Sequence, residues 1–141
     1  MPNWADVEIT VKMPTRGKEA FVGLFLGWDD EVEKPRFFAR TFINNVEVID
    51  IEDGMSIMEI SCDCAWSIYS CWVDGYPQKS NGKCITMEEA CKEFEVESLE
   101  ATSEEWGMMF REYYNYDKTD GAEISCKDIS QEEYIAIYGE E

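Results

Sequence analysis

Residues 6–12 alternate between apolar and polar side chains, with Val7, Ile9 and Val11 on one side of the pattern and charged or polar residues on the other. A period of two residues is typical of a β-strand that buries one face. The pattern therefore predicts a half-buried strand close to the first residue of the sequence.

The next stretch, MPTRGKEAFVGLF, changes to a helical spacing after Pro14. Its apolar residues recur at intervals that place them on one side of a short first helix: Ala20, Phe21, Leu24 and Phe25. Residues 27–45 then show no clear period. We interpret them as an inserted or connecting segment that is held to the core by three aromatic residues, Phe37, Phe38 and Phe42.

Two extended stretches, VEVIDI from Val46 and MSIMEISCDC, flank the turn residues Asp53 and Gly54. Asp-Gly between alternating stretches predicts a β-hairpin. Alternation in the second strand places one apolar row on the core side: Met58, Ile60, Cys62 and Cys64. We therefore expect these two cysteines to be buried structural residues.

The second half of the chain carries two helix-start signals. Thr86 with Glu89, and Ser130 with Glu133, have the spacing of a capping box. The first predicts a helix over TMEEACKEF with Ala90, Cys91 and Phe94 in its apolar stripe. The second predicts a C-terminal helix that buries Tyr134, Ile135 and Tyr138, or Ile137 in place of one of them. Between the helices, VESLEA predicts a strand, and MMFREYYNY with AEISC predicts another hairpin.

This order of elements predicts one α+β domain over residues 1–141. Strand, helix, hairpin, helix and strand fit a ferredoxin-like β-α-β-β-α-β core, with an inserted segment, an extra hairpin and a C-terminal helix. A chain of 141 residues is long enough for one domain with a real core.

Three landmarks resemble one family. MPNW followed by an alternating strand, ISCDCAWS at the end of the middle hairpin, and EEWGMMFREYYNYDKTDG resemble the YubB ferredoxin-like family of small phage- and plasmid-encoded proteins. The chain departs from the family pattern at Ile68, Tyr69, Trp106 and Met109, and residues 71–83 look like an insertion. The resemblance implies an accessory protein of a mobile element, and it implies no catalytic residues.

The net charge of the chain restricts its possible partners more than any sequence motif does. Thirty-one acidic residues face twelve basic ones, for a net charge of −19. Such a field repels nucleic acid and anionic lipid and attracts basic partners. With no apolar run approaching a membrane span and no signal-peptide pattern at MPNWADVEIT, we expect a soluble cytoplasmic protein whose cysteines stay reduced.

The sequence gives little support for catalysis or for a metal site. The chain has six cysteines but no histidine and no CxxC pair, so zinc is a weaker interpretation than buried structural thiols, and cysteine or serine catalysis lacks the usual base. No phosphate-binding glycine motif is present. We predict a protein that is not an enzyme, with no metal and no cofactor.

The tryptophans divide into two groups. Trp4, Trp66 and Trp106 lie in the family-like landmarks and are predicted at the core or its edge. Trp28 and Trp72 lie in segments that we interpret as irregular or inserted. Because interface hot spots favour Trp and Tyr, Trp72 with Tyr76 is a candidate binding surface.

The leading functional hypothesis is an inhibitor of a host nucleic-acid-handling defence enzyme, such as a Cas nuclease or a restriction enzyme. Its carboxylates would occupy a basic groove in place of phosphates. The candidate contacts form a roughly linear array along the second helix and its exit: Glu88, Glu89, Glu93, Glu95, Glu97, Glu104 and Glu105.

Two alternatives stay open. The first is a protein that sequesters a small ligand such as a signalling nucleotide, with Arg36, Arg40 or Arg111 converging beside aromatic rings. The second is a structural accessory protein whose fold is its only readable feature.

Overall fold

The structure, a computed structural model, describes residues 3–25, 38, 41–73 and 85–138. Its strands are β1 (Trp4–Pro14), β2 (Thr41–Glu52), β3 (Met55–Ala65), β4 (Ser98–Glu105), β5 (Phe110–Asp117) and β6 (Gly121–Asp128). Its helices are α1 (Lys18–Gly23), α2 (Met87–Glu93) and α3 (Gln131–Tyr138), with a 3-10 turn at Thr15–Gly17 and a π-helix at Tyr69–Val73.

The six strands form one antiparallel sheet in the order β2-β3-β1-β4-β5-β6. In the chain, α1 lies between β1 and β2, and α2 lies between β3 and β4. The α+β class predicted from the sequence is therefore confirmed. The predicted hairpin of β5 and β6 is confirmed as well.

Strand β1 shows why the alternating pattern was readable. Val7, Ile9 and Val11 are buried, and the polar residues between them face the other side of the sheet. The strand is longer than predicted at both ends, because pairing with β3 continues from Trp4 opposite Ala65 to Pro14 opposite Met55.

The predicted β2–β3 hairpin is confirmed, with Asp53 and Gly54 both at positive φ (52° and 76°) as a tight two-residue turn requires. The predicted start of its first strand is wrong. β2 begins at Thr41, inside the stretch interpreted as a connection. Two irregularities in its pairing with β3 interrupt the alternation, which explains why the sequence showed no clear period there.

One face of the sheet, here called the covered face, carries the core. Inward residues of the strands share one hydrophobic cluster with residues of α1, α2 and the π-helix. Met58, Ile60, Cys62 and Cys64 are all buried in it, which confirms the predicted row. Phe38 is fully buried, as expected, whereas Phe37 lies outside the described residues. Ala20, predicted on the apolar side of α1, is exposed.

Trp72 corrects a prediction. The π-helix turns it inward, where it is fully buried, its Nε1 donates to Thr41 Oγ1 at 3.1 Å, and its ring contacts Tyr114 edge to face at 5.7 Å. It therefore links the helical layer to the covered face of the sheet and is not an exposed aromatic residue. A π-helix is hydrogen-bonded i→i+5, so the α-helical spacing used to interpret a sequence does not apply to it.

Two other tryptophans lie further out than predicted. Trp4 and Trp66 are 43% and 41% exposed, because Trp4 is on the polar side of β1 and Trp66 ends β3 at a positive φ of 68°. Trp106 is half-buried, which agrees with a place at the edge of the core.

The helix-start predictions are confirmed in part. The capping box of α2 is complete, with Thr86 and Glu89 bonded reciprocally. At α3, Ser130 Oγ accepts from Glu133 N at 3.1 Å. The predicted burial of Ile135 is wrong, since it is 40% exposed. The side chains of Tyr134, Ile137 and Tyr138 lie outside the described part of the structure.

Candidate functional site

The acids predicted along α2 are mostly engaged within the chain. Glu88 forms an ion pair with Lys92 at 3.4 Å, Glu89 completes the capping box, and Glu95 forms an ion pair with Arg16. Glu93 and Glu97 are exposed. The helix therefore offers fewer uncompensated charges than its composition indicates.

Glu104 and Glu105 do not extend that array. As consecutive residues of a strand they point to opposite faces. Glu105 is 2% exposed, and its carboxylate accepts from Gly107 N at 2.7 Å and from Met108 N at 2.5 Å. A Cβ at Gly107 would approach Glu105 Oε1 to 2.8 Å, so a side chain there would displace this carboxylate. Glu105 as a partner contact is therefore wrong, because its carboxylate is buried in its own turn.

The aromatic contact predicted at Trp72 is wrong for the same reason of burial, and Tyr76 lies outside the described residues. Arg36 and Arg40, proposed for a small ligand, also lie outside them. Arg111 is engaged by two carboxylates, Glu104 and Glu133, and its side chain is only 15% exposed. Its charge is thus already compensated.

The structure instead brings acids together on the face of the sheet opposite the core, here called the open face. It carries the residues that alternate with the buried ones in β1, β3, β4 and β5. Among the described elements, α3 reaches this face at one corner, where Glu133 binds Arg111 at 2.9 Å. The rest of the face presents side chains in rows that run across the strands.

The first row crosses the sheet near the ends of β1 and β3. The strand register aligns six side chains in it: Phe42, Asp63, Asp6, Glu104, Arg111 and Lys127. Three adjacent carboxylates therefore occupy the central strands β3, β1 and β4. The two bases follow on β5 and β6, at the corner where α3 lies.

The second row lies four residues away along each central strand. Its members are Glu47, Glu59, Thr10, Glu100, Asn115 and Glu123, and all six are exposed. This row contains four carboxylates and no base. Glu47 and Glu59 are direct cross-strand neighbours, an arrangement of like charges that costs stability.

Between the two acidic rows lies a middle row of mostly hydroxyl side chains. It contains Asn45, Ser61, Glu8, Thr102, Tyr113 and Ser125. Ser61 donates to the Glu8 carboxylate at 2.7 Å. Over the three rows, eight carboxylates face two bases.

The first row is crowded enough to affect protonation. Partial burial raises the pKa of Asp6, and the charge and hydrogen bond of Asp63 and the charges of Glu104 and Glu8 raise it further. A raised pKa means that the fold disfavours the ionised carboxylate, here through burial first and through the neighbouring negative charges second. The folded chain therefore maintains this density of negative charge at a cost.

An aromatic pair borders the first row. The rings of Trp4 and Phe42 meet edge to face at 5.7 Å, beside Asp6 and Asp63. Phe42 was expected to pin its segment to the core, but it lies on the open face opposite Asp63. Exposed aromatic surface next to acids is the kind of border that a protein partner or a cationic side chain can contact.

The thiols and the cavities give little support for chemistry. The hydrogen bond that Cys71 shares with Cys64, together with burial, raises the pKa of Cys71, and burial raises the pKa of Cys64 and Cys91, which disfavours the reactive thiolate. Among the described residues, no group of three or more Cys, Asp or Glu side chains is placed to hold a metal ion. The depressions between elements measure about 180 to 260 Å³, below the volume usual for small-molecule sites.

Comparisons with protein-family models, with characterised proteins and with solved structures find no match. Within the described residues, no helix is long and apolar enough to cross a membrane. The site is therefore argued from its own residues.

Sequence reasoning missed most of the open face. The acids are visible in the sequence on the polar side of the alternation, at Asp6 and Glu8 in β1 and at Glu59 and Asp63 in β3. What makes them rows is the register between strands, which one sequence does not reveal.

Proposed function

We propose that this protein is a non-catalytic inhibitor of a host nucleic-acid-handling defence enzyme, such as a Cas nuclease or a restriction enzyme. Its carboxylates occupy a basic groove in place of phosphates. Such an inhibitor is an accessory protein of a phage or another mobile element, as the resemblance to the YubB ferredoxin-like family implies.

One observation carries this proposal: the open face holds eight carboxylates and two bases in three adjacent rows. The two bases of these rows lie at the corner near α3, where Arg111 pairs with Glu104, and Lys12 follows the second row on β1. A net charge of −19 strengthens the field around this face. The field attracts a basic protein surface and repels nucleic acid itself.

The family and core proposals have their own support. Strands β1 to β4 are antiparallel neighbours in the order β2-β3-β1-β4, with one helix after β1 and one after β3. We propose that these four strands and two helices are a ferredoxin-like core, and that β5, β6 and α3 extend it. An experimental structure of a YubB family member would test the proposal by its strand order.

The absence of catalysis is supported by the state of the nucleophiles. The thiols of Cys64, Cys71 and Cys91 are buried and hard to ionise, and the sequence contains no histidine to act as their base. The buried carboxylates of Glu105 and Glu112 are engaged in hydrogen bonds within the fold.

The test is inhibition measured against ionic strength. Binding through phosphate-like contacts should weaken steeply between about 50 and 200 mM salt, since each such contact releases counterions. Inhibition of a purified Cas nuclease or restriction enzyme should follow that dependence. Inhibition that does not change with salt contradicts a mimic of phosphates.

No described contact favours a small-ligand or a purely structural role. A thermal-shift screen with signalling nucleotides tests the small-ligand role, because a sequestering protein is stabilised by its ligand by an amount that rises with the logarithm of ligand concentration over Kd. We expect no shift.

A further inference from the structure

The two acidic rows lie at a fixed distance from each other. This distance indicates the shape of the partner surface that would fit them. On β3, β1 and β4 the rows are four residues apart: Asp63 and Glu59, Asp6 and Thr10, Glu104 and Glu100. At about 3.3 Å per residue, the distance along each strand is about 13 Å. On these strands the middle row between them consists of the Ser61 and Thr102 hydroxyls with the Glu8 carboxylate at the centre.

The same dimension occurs in nucleic acids. In a B-form duplex, the two phosphate backbones flank a major groove about 12 Å wide. Two lines of negative charge at this separation, with polar groups between them, match what a protein meets when it grips a duplex across that groove. A single strand offers one line of phosphates and no such pair.

Sheet twist limits the match to the centre of the face. Neighbouring strands rotate by about 20 to 25° and lie about 4.8 Å apart, so the rows diverge from straight lines across six strands. Over β3, β1 and β4 the width is about 10 Å, and the rotation is modest. These three strands hold the three adjacent acids of the first row and two acids of the second.

We propose that the open face, through its two acidic rows on β3, β1 and β4, docks into a cleft that normally grips a nucleic-acid duplex by both backbones. The occupant of this face is therefore a basic protein with two lines of Lys or Arg side chains facing each other across a duplex-sized cleft. This inference rests on the proposed function and names the surface and the class of partner.

Charge complementarity supports this surface over helix α2. On α2, Glu88 is paired with Lys92 and Glu89 with the helix cap. In the centre of the open face, the described neighbours of Asp6 are carboxylates on both sides. Lys or Arg side chains of a partner would relieve that repulsion, which adds to the free energy of binding.

Three double variants test the surface with matched changes in net charge. The first-row variant is Asp6→Asn with Asp63→Asn, the second-row variant is Glu59→Gln with Glu100→Gln, and the matched control on α2 is Glu89→Gln with Glu93→Gln. Each removes two negative charges, and Gln at position 89 keeps an acceptor for the helix cap. Differences in binding among the three variants therefore show the effect of where the charges lie, because each variant lacks the same number of charges.

The readout is displacement of a fluorescent duplex, followed by anisotropy, from two purified proteins: a guide-loaded Cas nuclease and a type II restriction endonuclease held without magnesium. We expect each row variant to displace the duplex at least about tenfold less well. We also expect the slope of log affinity against log salt to fall by about two, one for each charge removed. The α2 control should behave like the wild type.

The outcomes separate the two proposals. If the wild type displaces the duplex in a salt-dependent way but only the α2 variant is impaired, the proposed function holds and this surface is wrong. Equal displacement of a single strand from a single-stranded DNA-binding protein contradicts the duplex-sized cleft. If the wild type displaces the duplex from neither protein at low salt, the proposed function itself fails.

Discussion

Two groups of carboxylates lie on opposite faces of one sheet and have opposite relations with their neighbours. On the covered face, Glu112 accepts from Ile68 N at 2.8 Å, Tyr69 N at 3.1 Å and Ser103 Oγ at 2.9 Å. On the open face, Asp6 lies between two other carboxylates, Asp63 and Glu104. The first group holds the fold together, and the second costs stability and supplies a surface.

This difference shows that an acidic composition does not reveal which acids stabilise the fold and which form a surface. A net charge of −19 counts Glu112 and Asp6 alike. Only the geometry shows that buried carboxylates with donors around them are structural, while crowded carboxylates without donors are candidates for function. Substitutions of Glu112 and of Asp6 should therefore change stability in opposite directions.

The largest effect is expected at Glu112. Truncation by Glu112→Ala leaves the buried N–H groups at the start of the π-helix and the Ser103 hydroxyl without their acceptor, which should lower the free energy of unfolding by about 3 kcal/mol. Urea denaturation measures it. Glu112→Gln retains one acceptor oxygen and should lose less. A loss below that of an exposed acid would contradict the structural role.

The second-largest loss of stability is expected for substitution of Glu105. Glu105→Ala removes the acceptor for Gly107 N and Met108 N in the β4–β5 turn, and should lower the free energy of unfolding by about 1 to 2 kcal/mol. Its neighbour provides the control, since Glu104→Ala loses an ion pair with Arg111 near the surface, worth about 1 kcal/mol or less. Thermal unfolding of the two variants side by side compares the faces directly.

At Asp6 we expect a substitution to raise the free energy of unfolding instead of lowering it. Asp6→Asn removes one charge from the crowded first row and should raise the free energy of unfolding at neutral pH by about 0.5 kcal/mol, the scale of a cross-strand charge pair. The same variant should weaken partner binding. Denaturation at pH 7 checks the first effect, and a destabilised Asp6→Asn protein would contradict the repulsion.

Acidification should abolish the advantage of Asp6→Asn. The folded state raises the pKa of Asp6 above 3.8, so the folded chain binds this proton more tightly than the unfolded chain. The penalty in the wild type is complete above the raised pKa, falls as the pH drops through it, and is gone below about 3.8. Stability of the wild type and the variant, measured from pH 7 downwards, should converge.

The smallest effect is expected in the second row. Glu59→Gln relieves the pairing with Glu47 on a fully exposed part of the face, so the free energy of unfolding should rise by no more than about 0.5 kcal/mol. Urea midpoints for Glu59→Gln and Glu100→Gln should lie at or slightly above that of the wild type. A clear loss of stability in either would assign these acids a structural role.

Regular elements were predictable because their signals are local. The alternation of β1, the Asp53-Gly54 turn and the capping box at Thr86 each depend on residues close in sequence. The start of β2 was missed because bulges break its period. Trp72 was misplaced because a π-helix turns it inward.

The candidate site was harder to predict because it depends on pairing between distant strands. Asp6, Asp63 and Glu104 are far apart in the chain and become neighbours only through the register of β1 with β3 and β4. The acids of α2 were easier to see because they are adjacent in sequence. Charge on a strand needs its neighbours before it can be interpreted.

The bulges of β2 also bear on how the protein behaves at high concentration. β2 is an edge of the sheet, with Val48 and Ile49 42% and 55% exposed, and a flat apolar edge would recruit further chains into a growing fibril. Register shifts between Ile43 and Asn45 and between Val48 and Asp50 bend this edge out of line. Together with mutual repulsion between highly charged molecules, they guard the chain against aggregation.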